Sequence, residues 1–163
     1  MYKIEIKTKE QFNNGNCAAL LEDIKGLSIS QIKKADCCPL YCIEGSLSLD
    51  ETKKIAREIL ADKITQEFIV LNDKPQEISK NDAKKSVNLK KTFASIEVYY
   101  RKGVTDTASA SVIKAVKDLG ISADITVKTG QKYYFWGDFS LEILEKIAKK
   151  LLSNNLIQEY KIN

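Results

Sequence analysis

The chain repeats itself, and that limits its fold more than any other feature. Residues 41–70 (YCIEGSLSLDETKKIAREILADKITQEFIV) recur 92 residues later at 133–162 with no gap. Tyr41 matches Tyr133, Gly45 matches Gly137, and Ser48-Leu49 matches Ser140-Leu141. Lys54-Ile55-Ala56 matches Lys146-Ile147-Ala148, Leu60 matches Leu152, and Gln66-Glu67 matches Gln158-Glu159. A fixed spacing of this kind sets architecture before any local signal does, because each copy must fold as the same supersecondary unit.

Apolar periodicity gives the unit. Tyr2, Ile4 and Ile6 alternate with Lys3, Glu5 and Lys7, the period-2 pattern of a half-buried strand. Asn13-Asn14-Gly15 reads as a turn. A helix follows, with Cys17, Leu20, Leu21 and Ile24 on one face and Gly26 as its expected C-cap. A strand running to about Asp36, an interruption at Pro39 and a further strand over 40–47 come next. Ser48 and Glu51 form a capping box, in which each side chain satisfies a backbone N–H of the other residue. They open a helix buried through Leu49, Thr52, Ile55, Ala56, Ile59 and Leu60. Residues 65–71 close the unit as a strand.

The second copy keeps this order. Ile96, Val98 and Tyr100 form its first strand's inner face, and Asp106 is a good N-cap. Val112, Ile113, Val116 and Leu119 line a helix ended by Gly120. Strands at about 123–128 and 132–138 follow, with a tight turn at Gly137. Leu144, Ile147, Ala148, Leu151 and Leu152 give the next helix its core stripe, and 157–162 is the last strand.

Each copy is therefore β-α-β-β-α-β, or β-α-β-α-β if the middle strands run on as one bent arm. The fold class is α+β, two tandem units of antiparallel sheet covered by helices on one face. A single unit leaves its other sheet face open, so the two copies either stack those faces or join sheet edges as a pseudo-dimer. The expected division is 1–71 for copy one, 72–93 for a Lys-rich exposed linker, and 94–163 for copy two. The linker holds six Lys against Asp73, Glu77 and Asp82, and its 22 residues span about 70 Å when extended.

Composition narrows function. With 44% hydrophobic and 29% charged residues the chain is an ordinary globular protein. No run of about 18 apolar residues is present and MYKIEIKTKE lacks a signal-peptide core, so no membrane partner and a cytoplasmic location are expected. Much of the net charge of +4 sits in 72–93, and neither unit gathers a basic face, so nucleic acid is not an expected partner. The chain has no histidine, which removes Ser-His-Asp and Cys-His catalysis and the commonest metal ligand. Cys17, Cys37, Cys38 and Cys42 all lie in copy one. Adjacent cysteines on a strand face opposite ways and no His completes a site, so they read as reduced structural thiols rather than metal ligands. No phosphate-cradling Gly loop occurs. Catalytic, cofactor-binding and metal residues are all expected to be absent.

Comparing the copies isolates residues that the fold does not explain. Tyr133 and Phe135 match Tyr41 and Ile43, an apolar face in both copies and hence core. Tyr134 and Trp136 point the other way and match Cys42 and Glu44. They are candidate interface residues, either toward a partner protein or between the two copies. The Tyr-Tyr-Phe-Trp run lacks the motif of an RNA-stacking strand.

The second copy resembles the PurS family, the small subunit of phosphoribosylformylglycinamidine synthase. The resemblance rests on Ile96-Glu97-Val98, then Arg101-Lys102-Gly103-Val104-Thr105-Asp106, and a helix keeping Val112, Ala115, Val116 and Leu119-Gly120. Lys132-Tyr133 and the tail Leu151-Leu152-Ser153-Asn154, Ile157 and Glu159-Tyr160-Lys161-Ile162 complete it. Thr107-Ala108-Ser109 departs from the family's Pro-Gln-Gly, and copy one has Gln11-Phe12-Asn13-Asn14 where the Gly-Val-x-Asp piece belongs. The tandem pair resembles the N-terminal domain of the large single-chain synthetases.

The resemblance implies a non-catalytic adaptor in purine synthesis, a subunit of a ligase. Such an adaptor bridges a PurQ-like glutaminase and a PurL-like synthetase, with ATP and Mg²⁺ on the synthetase, and supports ammonia transfer. It adds Lys102 and Asp106 to Tyr134 and Trp136 as candidate interface residues. The chain is expected to be a monomeric pseudo-dimer or to associate further. A tandem small-molecule sensor, with a ligand between the copies, is the alternative.

Overall fold

The computed structural model describes residues 1–12, 15–72 and 91–163. In chain order the elements are β1 (Tyr2–Thr8), α1 (Gly15–Gly26), β2 (Ile32–Gly45), α2 (Leu49–Ile55), β3 (Gln66–Asn72), β4 (Lys91–Tyr100), α3 (Thr107–Asp118), β5 (Ile125–Phe139), α4 (Leu141–Ile147) and β6 (Gln158–Ile162). Helices α2 and α4 each run on into a five-residue π turn, Ala56–Leu60 and Ala148–Leu152. These turns occupy equivalent places in the two repeats.

The strands form one six-stranded antiparallel sheet in the order β3-β1-β2-β5-β4-β6. The repeats thus join edge to edge. Their equivalence extends to every ladder: Ile4 pairs with Tyr41 and with Val70, while Ile96 pairs with Tyr133 and with Ile162. At the centre Pro39 lies opposite Gln131, its own repeat equivalent, so the pseudo-twofold axis passes between them.

The middle strands of each repeat run on as single strands of 14 and 15 residues, the second of the two layouts. Pro39 does not interrupt β2. It lacks the N–H a ladder needs, and the β1–β2 ladder ends at Leu40. In the second repeat, where Gln131 takes its place, the β4–β5 ladder continues through Gln131 and Gly130. Pro39 therefore trims one ladder while β5 holds the strand together.

Gly137 is likewise not a turn. It lies within β5 at φ 153°, and a Cβ there would overlap the carbonyl oxygen of Gln31. Its equivalent Gly45, at φ 144°, meets the carbonyl oxygen of Asp124 in the same way. The two glycines let the ends of β2 and β5 pass close to each other's starts. Gly26 is within the last turn of α1, and the left-handed residue that ends the helix is Ser28, at φ 60°. The 72–93 linker falls largely outside the described residues, as do Asn13 and Asn14. At its margins β3 reaches Asn72 and β4 starts at Lys91, so 91–93 are strand.

All four helices cover one face. Their packing crosses the repeat boundary. Leu20 and Ile24 of α1 pack with Ile96, Phe135, Leu144 and Ile147 of the second repeat. Val112 and Val116 of α3 pack with Ile4, Ile6, Ile43 and Ile55 of the first. The cause is the length of the central strands. The first half of β2 pairs with β5 alone, so it carries the preceding helix over the other repeat's half-sheet. Each hydrophobic core is then built from both repeats. Leu49, expected in the α2 stripe, is 44% exposed because it lies in the first turn, outside that stripe.

Candidate partner-binding face

Among the described residues no helix covers the other sheet face, and strand alternation decides what it shows. Lys3, Glu5 and Lys7 reach it from β1, Cys38, Leu40 and Cys42 from β2, Lys132, Tyr134 and Trp136 from β5, and Phe93, Ser95, Glu97 and Tyr99 from β4. A half-buried strand ordinarily sends such residues to water. Here Glu5 and Glu97 are each only 3% exposed.

These two carboxylates are repeat equivalents flanking the pseudo-twofold axis. Lys132 Nζ lies 2.7 Å from Glu5 and 3.5 Å from Glu97, bridging them across the sheet. Lys3 pairs with Glu97 at 2.9 Å, and Lys7 approaches Glu5 at 3.9 Å. The Tyr99 hydroxyl donates to Glu97 at 3.0 Å, and the Tyr134 hydroxyl donates to Glu5. Among the described residues no buried side-chain nitrogen or oxygen lacks a partner. A buried charge is tolerable only when it is so compensated.

Burial pushes the Glu97 carboxyl up, but the bonds from Lys3 and Tyr99 and the nearby lysine charges outweigh it and hold it below the usual carboxylate range. Burial, then the bond to Glu5 and its charge, holds the Tyr134 phenol well above its ordinary value. Burial, then the contact with Cys42 and the Glu97 charge, does the same for Tyr99. Both phenols are thus held as hydrogen-bond donors to the carboxylates, and the network braces one repeat against the other.

Beside it lies an aromatic patch. Phe93 pairs with Trp136 across β4 and β5, after a bulge between Lys91 and Phe93. Their ring centroids are 5.3 Å apart, and Phe93 and Tyr134 are stacked at 6.0 Å. Lys34 stands over Trp136 at 5.0 Å and Lys7 over Tyr134 at 4.9 Å. Tyr134 is buried and Trp136 half-buried, while Phe93 is 49% exposed. Tyr134 ties the second repeat to Glu5 of the first, and the outer edge of the cluster is open to solvent.

The other two candidate residues are elsewhere. Lys102 is exposed in the turn between β4 and α3. Asp106 caps α3, accepting from Ser109 N–H, and also accepts from Thr129 N–H at 2.8 Å and Thr129 Oγ1. Both border a hollow of about 850 Å³ that also touches Lys3, Tyr99, Lys128 and Lys161 but not Tyr134 or Trp136. The four residues form two groups at opposite ends of β5. Among the described residues no three His, Cys, Asp or Glu side chains converge as a metal cluster would, and no helix is long and apolar enough to cross a membrane.

Sequence reasoning missed Phe93, which it assigned to the linker, and the Glu5–Lys132–Glu97 centre. One signal was available: extended back by the same spacing, the repeat aligns Glu5 with Glu97, a charged identity inside a strand.

Residues 93–163 match the family model for PurS, phosphoribosylformylglycinamidine (FGAM) synthase. The second repeat is similar to the PurS family over that stretch. No individually curated protein matches the chain. The PurS match starts at Phe93 in β4 and runs through β6, covering the α3 cap at Asp106, the aromatic patch, Glu97 and Lys132. The similarity points to FGAM synthase and purine biosynthesis.

Proposed function

We propose that the chain is a non-catalytic adaptor of a glutamine-dependent, ATP-dependent FGAM synthase, acting in the cytoplasm. The first repeat serves as a diverged second PurS unit, so one chain plays the part of a pair. It bridges the glutaminase that releases ammonia and the synthetase that consumes it, with ATP and Mg²⁺ held by the synthetase. Free ammonia at neutral pH is mostly protonated and useless as a nucleophile, so two active sites held in register conserve it. The observation that carries this reading is the sheet face of the PurS-like repeat that no described helix covers. The sheet's two buried carboxylates are each paired with lysines, and the face offers an apolar aromatic edge of Phe93 and Trp136. Aromatic residues of this kind are favoured anchors of protein interfaces.

The test mixes the synthetase and the glutaminase with and without this chain. Glutamine-dependent turnover should need the chain, and ammonia-dependent turnover should need it far less. Phe93→Ala with Trp136→Ala should weaken assembly about tenfold or more while the chain stays folded. Equal glutamine-dependent turnover without the chain refutes the adaptor.

A second reading is supported by the 850 Å³ hollow, which is lined from both repeats, by Lys3 and Cys42 on one side and Tyr99 and Lys128 on the other. As a sensor, the chain would bind a small metabolite there with no partner present. The absence of any thermal shift across a purine-pathway metabolite panel rules that reading out.

A further inference from the structure

The repeats differ most sharply where the first helix of each meets its central strand. In the second repeat the Asp106 carboxylate clasps Ser109 N–H of α3 and Thr129 of β5. The repeat equivalents of Ser109 and Thr129 are Cys17 and Cys37. Cys17 is buried on α1 and Cys37 is half-exposed on β2. Their Sγ atoms are 2.7 Å apart, and the Cys17 thiol also donates to Asp36 Oδ1 at 3.4 Å. Asp36 accepts from the Cys37 N–H at 2.8 Å, so a carboxylate steadies both residues. Cys38 and Cys42 point to the opposite face of β2, as alternation requires, and Cys42 contacts the Tyr99 hydroxyl instead.

We propose that Cys17 and Cys37 form a reversible dithiol–disulfide site that locks α1 to β2, a covalent counterpart of the Asp106–Thr129 clasp. The oxidant is a low-molecular-weight disulfide. The more exposed Cys37, as thiolate, attacks one sulfur of that disulfide. It forms a mixed disulfide and expels one thiolate, which takes up a proton. Cys17 then loses its proton to solvent and attacks the Cys37 sulfur. The second small thiol leaves, and the Cys17–Cys37 bond forms. Overall two protein thiols are oxidised and one disulfide is reduced to two thiols. Burial, then the contact with Cys37 and the Asp36 carboxylate, holds the Cys17 thiol far above its ordinary range, which assigns the first attack to Cys37. Because α1 covers the second repeat's half-sheet, a bond pinning α1 to β2 also holds that covering helix in place.

The full chain, reduced and then equilibrated with oxidised glutathione, tests this. Non-reducing peptide mapping should find a Cys17–Cys37 cross-link, with the protein lighter by two hydrogens and its Tm raised by several degrees. Cross-linking should be at least about tenfold faster in the native chain than in urea, because the fold holds the sulfurs together. Cys17→Ser and Cys37→Thr, the residues found in the second repeat, should abolish it. The Cys38→Ser, Cys42→Ser double variant should keep it, and that variant preserves the pair where others disturb folding. Full alkylation of Cys17 and Cys37 after oxidation, a persistent glutathione adduct on Cys37, a cross-link to Cys38 or Cys42, or equal rates in urea would each overturn the proposal.

Discussion

Ser28 shows how one residue carries a fold-level constraint. Its N–H bonds to Lys25 O and the Ile29 N–H bonds to Ile24 O, while Gly120 and Ile121 repeat that pair of bonds on Lys117 O and Val116 O. This is a Schellman ending in both repeats, and it requires the left-handed region at the residue after the helix. Glycine supplies that conformation freely at 120. At 28 a serine accepts it, at φ 60°, against a cost of about 1 kcal/mol. Ser28→Gly should therefore raise stability by about 1 kcal/mol in urea denaturation. A neutral or negative change would mean that the serine hydroxyl makes a compensating bond. The sequence signal was the repeat itself, which aligns Ser28 with Gly120. Gly26 drew attention by composition alone, and it lies two residues early.

Among the elements, the paired central strands decide most. β2 and β5 run antiparallel from Ile32–Gly137 to Gly45–Ile125, and both ends are closed by a glycine over a backbone carbonyl. Gly137→Ala forces the new methyl into Gln31 O, and its positive φ adds strain that no side-chain movement relieves. The expected loss is about 3 kcal/mol, seen as a lowered denaturation midpoint with Gly45→Ala behaving alike. Gly103→Ala is the control for strain without contact, since nothing lies near its Cβ position, and it should cost clearly less. The strand content itself was legible, because alternation marks both halves of β5. Their fusion into one strand stood only as one of two layouts, because a glycine at close approach and a glycine in a turn look alike in sequence.

On the scale of the whole molecule, each core is shared. The α3 residues Val112 and Val116 bury against Ile4, Ile6 and Ile55 of the first repeat as well as against Ile125 of their own β5. A fragment of residues 91–163 would keep β5 beneath α3 but strip it of Ile4, Ile6 and Ile55, and would leave Ile96, Phe135 and Leu144 without α1 above them. It should therefore be recovered as a homodimer in which each α3 crosses to the other copy. Sedimentation at micromolar concentration measures this. A well-folded monomer would contradict the shared-core description.

The sequence by itself determined the repeat, the element types and the helix face of the sheet. Apolar periods of 2 and 3.6 are local properties, readable at Ile4-Ile6 or Leu144-Ile147-Ala148. The same alternation placed Tyr134 and Trp136 opposite the core and marked them as the unexplained pair. Only the tertiary structure decided that Glu5 and Glu97 are buried, that Lys132 joins them, and that Phe93 completes the aromatic edge. It alone decided which helix covers which half. Those outcomes depend on partners far apart in the chain, such as Lys132 on Glu5 and Leu20 beside Phe135. Burial of a charge is set by the sum of its neighbours' desolvation and pairing, a quantity no local pattern contains.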